Sequence, residues 1–251
     1  MLRLITLVSF LFIGINANAA GDAKHPKQMF WSFDTITGKV DKPSAQRGFQ
    51  VYREVCASCH SVKRLAFRNL QDIGFMEAEV KTIANEYTVI DGPDDAGDLF
   101  ERPAKASDRI PGPYANKQAA QASNGGAYPP DLSLITKARM DGPNYIYSLL
   151  TGYEEAPEGV ELSPGQYYNP YMAGGKIAMA APLSEGIIEY QDGTEASVEQ
   201  MSKDITNFLQ WAAEPETEHR KEMGIKVLLF LIVFTILFYI AKRRIWAKIG
   251  Q

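Results

Sequence analysis

Cysteine and histidine are scarce in this chain: 251 residues hold two cysteines and three histidines. Both cysteines and one histidine fall in five consecutive residues, Cys56-Ala57-Ser58-Cys59-His60. Four chemistries use cysteines at this spacing: a disulfide, half of a zinc site, a dithiol redox pair, or covalent attachment of haem. A disulfide across two intervening residues closes a tiny loop and restrains little. Zinc normally takes four ligands, and the other histidines, His25 and His219, stand at opposite ends of the body. A thioredoxin-type pair belongs in a βαβ setting, whereas a helix is predicted just before Cys56. Cys-x-x-Cys-His, with the histidine adjacent to the second cysteine, is the haem-attachment signature. Residues three apart share a helical face, so each thiol can form a thioether with one haem vinyl group. His60 can then place its imidazole on the iron. The expectation is one covalently attached haem c and no disulfide, with no reactive thiol left over in an oxidising compartment.

A haem with one protein ligand can bind substrates, whereas one with two tends to carry electrons. The second axial ligand therefore decides the function. His25 lies in an N-terminal arm and His219 at the edge of an apolar run, which leaves methionine. Met76 and Met201 occupy helical positions and read as core, the ordinary use of methionine as a gap-filler. Met29, Met140, Met172 and Met223 have weak local cases. Met179 lies in Gly174-Gly175-Lys176-Ile177-Ala178-Met179-Ala180-Ala181-Pro182, small residues that let a loop approach a flat macrocycle. On context Met179 ranks first and Met172 second.

The elements that must hold these residues are read from periodicity and punctuation. Residues 20–43 form an extended arm with an aromatic cluster, Phe30-Trp31-Ser32-Phe33. A helix is predicted from an N-cap at Ser44 through Ser58, with Gly48, Val51, Tyr52 and Val55 on one face. A second spans 76–87. Residues 88–130, rich in proline and closing on Asn124-Gly125-Gly126, read as a long loop and a candidate functional insertion. A short helix covers 143–150, with proline in its first turn and Gly152 past its end. Residues 153–186 are again loop-like, and 187–196 suggest a small hairpin about Asp192-Gly193. Ser197-Val198-Glu199-Gln200 has the capping-box pattern and opens a helix to about Ala213. Phe208, Leu209 and Trp211 are expected to pack on the first helix beside Phe49, where Gly48 permits close approach.

Both ends of the chain speak of membranes. Arg3, the apolar stretch Leu4–Ile15 and Ala17-Asn18-Ala19 have the three parts of an export signal, giving a predicted signal peptide over 1–19 and a mature start near Ala20. Residues 223–241 form a run interrupted only by Lys226, about the length that crosses a bilayer. Tyr239 and Trp246 suit the interfacial belt, and Lys242-Arg243-Arg244 follows on the side that stays cytoplasmic. The predicted order is a periplasmic body over 20–222, a membrane helix over 223–241 and a cytoplasmic tail over 242–251, in the inner membrane. Residues 20–222 carry 20 Lys and Arg against 30 Asp and Glu, a net of −10. That balance argues against a nucleic-acid partner and suits a basic protein.

Several stretches together resemble the cytochrome c1 family, bacterial type. They are RGFQVYREVCASCHS, SNGGAYPPDLSLITKAR, NYIYSLLTGYEEAPEGVEL, YYNPYMAGGKIAMAAPL and NFLQWAAEPETEHRKEMG, and the resemblance spans about residues 25–246. It implies a mainly α fold: a class I cytochrome c-like haem domain with long loop insertions, plus one C-terminal transmembrane helix. It implies that Met179 is the axial ligand opposite His60. It also places Arg139 and Tyr145 against the haem propionates, and Asn124 with Pro129-Pro130 in a loop packed near the haem. Without the family, Arg139 reads as a solvated helix-end charge. Some bacterial members carry an extra cysteine pair that restrains the region between haem-binding loops. This chain has no such pair, so packing must restrain the Met179 loop.

The family role implied is one-electron relay in the ubiquinol–cytochrome c reductase, or bc1, complex. The electron arrives from the Rieske iron–sulfur protein and leaves to a cytochrome c, with the membrane helix beside cytochrome b in a dimeric complex. No bond-breaking is expected on this chain. Asp91, Asp94, Asp95, Asp98 and Glu101, and Glu154, Glu155, Glu158 and Glu161, are candidates to recruit a basic acceptor, against the plainer reading of solvated acidic loops. Two other functions compete: a membrane-anchored shuttle outside any complex, for which the long insertion between His60 and Met179 is oversized, and a haem peroxidase, which needs an open iron site.

Overall fold

The computed structural model describes residues 23–247. The predicted signal peptide and mature start, and the end of the predicted tail, lie outside these residues.

The first helix, α1, spans Lys42–Glu54. Its N-cap is Asp41, not Ser44: the Asp41 carboxylate accepts from the Ser44 amide, and Pro43 falls in the first turn, where its missing N–H costs nothing. α1 stops before the cysteines, and Cys56–Ser58 form a separate 3-10 turn. A 3-10 helix over Phe67–Ile73 ends at Gly74 in the left-handed region, and α2 follows over Glu77–Asn85.

The long segment after α2 is not structureless. Thr88–Asp91 (β1) and Phe100–Pro103 (β2) pair as an antiparallel hairpin. Its Arg102 holds Asp91 and, through Nη1 at 2.6 Å, Asp108. Further on, α3 covers Lys117–Ser123, capped by Asn116. α4 spans Gly142–Leu150, and Tyr167–Tyr168 (β3) pairs with Lys176–Ile177 (β4). No hairpin forms over 187–196. Instead Gly193 (φ 76°) makes a turn whose Asp192 carboxylate is taken by the Thr194 amide and by Arg47. Ile188 and Tyr190 are buried in the core.

α5, Val198–Ala213, starts at Ser197, whose hydroxyl accepts from the Gln200 amide. It lies along α1, the most extensive contact between elements. The approach is close because residue 48 is glycine: a Cβ there would overlap the Asp204 carbonyl and stand 2.7 Å from Phe208 Cβ. Phe49, Tyr52, Phe208 and Trp211 form an aromatic layer with neighbouring centroids 5.6–6.5 Å apart. Each fully buried side chain of this kind contributes about 1.5–3 kcal/mol. Beneath the layer the wholly buried Asp204 accepts from Ser44 Oγ (2.6 Å), Arg47 Nε (2.9 Å) and Gln200 Nε2 (3.0 Å). A buried carboxylate so surrounded fixes the register of α1 on α5.

α6 is one continuous helix over Thr217–Trp246. The apolar run is its middle, and that window is entirely unburied. The helix starts well before the run, shortly after Pro215. Its first turns are tied to the arm: Lys221 Nζ donates to the carbonyls of Phe33 (2.6 Å), Thr35 (2.9 Å) and Gly38 (3.1 Å). The Val40 amide donates to Glu218 (3.1 Å). The arm is anchored in turn by Trp31, buried and donating through Nε1 to Asn144 of α4 at 2.8 Å.

Candidate haem site

The 3-10 turn after α1 brings its side chains into line, because residues three apart eclipse in that geometry. The amides of Cys59 and His60 both donate to the Cys56 carbonyl, at 3.1 and 2.8 Å. The two thiols, both free and half-buried, therefore stand on one side of a single turn with His60 beside them. Burial, with Cys59 beside it, pushes the Cys56 thiol up, opposite to the lowered thiol of a redox pair. That disfavours the redox-pair reading. No cluster of three or more His, Cys, Asp or Glu side chains able to hold a bare metal ion exists among the described residues, which disfavours the zinc reading.

Two hydrogen bonds orient His60. Its Nδ1 donates to the carbonyl of Pro130 at 2.8 Å, and Tyr52 Oη donates to the His60 carbonyl at 3.2 Å. The Nδ1 bond fixes the tautomer, so the lone pair is on Nε2, the form in which histidine binds iron. Burial holds His60 below its ordinary pKa, favouring the same neutral ring. Nε2 has no hydrogen-bond partner among the described residues.

The segments 60–64 and 130–133 are joined side by side. The Leu132 amide donates to the Ser61 carbonyl (2.7 Å), and the Arg64 amide to Ser133 Oγ (3.1 Å). Asp131 stands at the centre. Its Oδ2 accepts from Ser61 Oγ (2.8 Å) and the Lys63 amide (2.9 Å), and its Oδ1 from the Ser133 amide (2.9 Å). Burial alone would push this carboxyl up, but the bonds from Ser133, Lys63 and Ser61 outweigh it and hold the group below its ordinary value. Asn124 reaches the cysteine turn indirectly: its Nδ2 donates to Tyr114 Oη (3.0 Å), which donates to the Ser58 carbonyl (3.3 Å).

Met179 is half-buried on the loop after β4, and its carbonyl accepts from Tyr153 Oη at 3.1 Å. Burial raises the Tyr153 phenol, with Tyr145 adding to the effect. Tyr145 Oη in turn donates to the sulfur of Met172 at 3.5 Å. Met172, the runner-up ligand, thus has its sulfur engaged by a phenol, whereas no side-chain bond engages that of Met179 among the described residues. Arg139 is exposed, donates to the adjacent Ala138 carbonyl (3.0 Å) and has no ion-pair partner among the described residues. Among those residues, too, no hydrogen bond links the His60 and Met179 side chains directly. Asp131, Tyr114 and Tyr153 are contributors that sequence reasoning missed. Each is a common surface-type residue whose role depends on a partner distant in the chain.

The donor set suits a haem: two thiols on one turn, an imidazole whose Nε2 has no partner among the described residues, and a thioether on a small-residue loop. Helices around a Cys-x-x-Cys-His turn, hung on one apolar helix, define a membrane-anchored c-type cytochrome. Comparison with known proteins sharpens the class. The model of the Cytochrome C1 family matches residues 31–249. A cytochrome c1 haem protein of Arabidopsis thaliana mitochondria is 50% identical over 90% of this chain and 73% of its own length. Cytochrome c1 of Rhodospirillum rubrum is 46% identical over 93% and 91%. A cytochrome b/c1 protein of Bradyrhizobium diazoefficiens is 46% identical over 94% of this chain, which spans only 38% of that longer protein. The chain belongs to the cytochrome c1 family, whose members carry a covalently bound haem c. Among the described residues α6 alone is long and apolar enough to cross a membrane, and the chain is mainly helical as its sequence implies.

Proposed function

We propose that this chain is the haem-bearing electron-transfer subunit of a bc1 complex. It takes one electron from the Rieske iron–sulfur protein and passes it to a cytochrome c, through a haem ligated by His60 and Met179. The observation that carries the reading is the His60 ring, locked through Nδ1 by the Pro130 carbonyl with Nε2 free, beside two thiols on one turn. Bound haem supplies a one-electron Fe(III)/Fe(II) couple. The chain's own residues hold, orient and shield it. Cys56 and Cys59 tether the ring, Met179 offers a neutral sulfur that favours the reduced state, and Arg139 and Tyr145 stand to meet the propionates. Cytochrome b is the neighbour of α6, in a dimeric complex. The body lies in the periplasm and the C-terminus in the cytoplasm, in keeping with the basic residues after the apolar run.

Met179→Leu and Met179→His test the ligand assignment by redox titration of the haem in membranes. Both are expected to lower the reduction potential, and the leucine variant to open the iron to carbon monoxide. An unchanged potential and no carbon monoxide binding would mean a different ligand.

A further inference from the structure

We propose that Asp131 is a positioning residue for the haem: its carboxylate clamps the segment after His60 to the segment after Pro130, holding the Pro130 carbonyl on His60 Nδ1 and fixing the potential of the iron. The proposal rests on the reading that His60 ligates the iron.

The geometry singles out this residue. The bond at stake, His60 Nδ1 to Pro130 O, joins positions 70 apart in the chain. Such a contact persists only if something holds the two segments in register. Of the other hydrogen bonds between them, those from Ser61 Oγ and the Lys63 amide end on the Asp131 carboxylate. The remaining ones run from the Leu132 amide to the Ser61 carbonyl and from the Arg64 amide to Ser133 Oγ. The Ser133 amide, from Asp131's own segment, completes a set of three donors converging on the one carboxylate. Pro130 has no N–H and contributes nothing to its own placement beyond a fixed φ, so its carbonyl is aimed by the residue after it. Asp131 is also a fixed negative charge one residue from the carbonyl that His60 meets.

Both effects act in one direction. A firm Nδ1–H···O=C bond makes the imidazole a stronger donor to the metal. A nearby anion favours the more positive iron state. Each stabilises the oxidised haem, so removing the carboxylate raises the potential. An amide at 131 also turns one acceptor into an N–H donor facing donors, which loosens the clamp.

The test is Asp131→Asn in the haem-loaded full chain in membranes, read by redox titration. At a fixed ambient potential the ratio of reduced to oxidised haem is expected to rise about three- to tenfold, the scale of one partly screened charge at this range. Glu195→Gln, at an exposed glutamate before α5, is the charge control and is expected to titrate like the wild type. An unmoved potential in Asp131→Asn, whether or not its thermal stability falls, overturns the proposal, as does an equal rise in Glu195→Gln. If Asp131→Asn fails to load haem, Asp131→Glu decides. It keeps the charge but cannot meet all three donors in the same geometry, so a smaller rise supports the proposal and a wild-type value overturns it. Imidazole 15N couplings in the pulsed EPR spectrum of the oxidised wild type, with 15N-labelled histidine and unlabelled haem, test the His60 reading separately. Their absence removes that reading and this proposal together, and their presence with an unmoved potential removes this proposal alone.

Discussion

In the proposed site His60 and Met179 would hold one iron from parts of the chain 119 residues apart, and each is bonded by a group outside the attachment motif. For Met179 that group is Tyr153, whose hydroxyl meets the carbonyl of Met179. Without a cysteine pair to restrain the loop, this bond, the β3–β4 pairing and the buried Ile177 and Leu183 restrain it. Tyr153→Phe removes a hydrogen bond worth about 1 kcal/mol net and leaves the ring in place. It is expected to let Met179 dissociate more often, so that carbon monoxide binds the reduced haem roughly fivefold faster. Stopped-flow mixing measures this, and an unchanged rate would remove Tyr153 from the account. Cys56, Cys59 and His60 were legible in the sequence because their chemistry is written in adjacent positions. The preference for Met179 over Met172 rests, in the sequence, on glycines and alanines that allow close approach. Tyr153 and Asp131 were not legible at all: nothing local distinguishes a tyrosine that finds a partner 26 residues away, or an aspartate whose partner is 70 away.

The elements that carry these residues owe their placement to the pairing of α1 and α5. Gly48 is the contact point, where the backbone of Asp204 occupies the space a side chain would need. Gly48→Ala is expected to cost about 2–3 kcal/mol, as overpacked sites do, and to lower the thermal midpoint. A variant as stable as the wild type would show that the two helices separate easily. This contact was predictable because a glycine inside a strongly periodic helix asks for a reason. α2 was legible from its apolar spacing, α4 from the proline in its first turn and Gly152 past its end, and α5 from its Ser197 cap. The β1–β2 hairpin was not. Val89 and Ile90 stand side by side in β1, and Phe100 is followed by Glu101 and Arg102 in β2, so neither sequence shows the alternation of a half-buried strand. Asp192-Gly193 has the composition of a strand reversal, yet no hairpin forms there, because Arg47 and Thr194 claim the carboxylate. The N-cap of α1 lies three residues before the expected Ser44 because proline, usually a breaker, is at home in a first turn.

At the scale of the whole molecule, charge and orientation set how electrons can enter and leave. The body of 20–222 is acidic by ten charges and the chain beyond it basic. If the acidic segments recruit a basic cytochrome c, its oxidation of this haem should slow steeply with ionic strength as screening shortens to about 8 Å near physiological salt. Rapid-mixing kinetics across a salt series would show it, and a flat dependence would leave those carboxylates as solvated surface. The continuous α6, with Lys221 gripping the arm, has a further consequence. These bonds tie the compass heading of the haem domain over the bilayer to the rotation of the anchor helix. A single alanine added after Glu222 would turn the domain by about 100° while raising it only about 1.5 Å, whereas four added residues would bring it back to within about 40° of its heading and raise it about 6 Å. Haem reduction in membranes should therefore suffer more from the shorter insertion than from the longer one, since azimuth rather than height decides which side of the haem faces its donor.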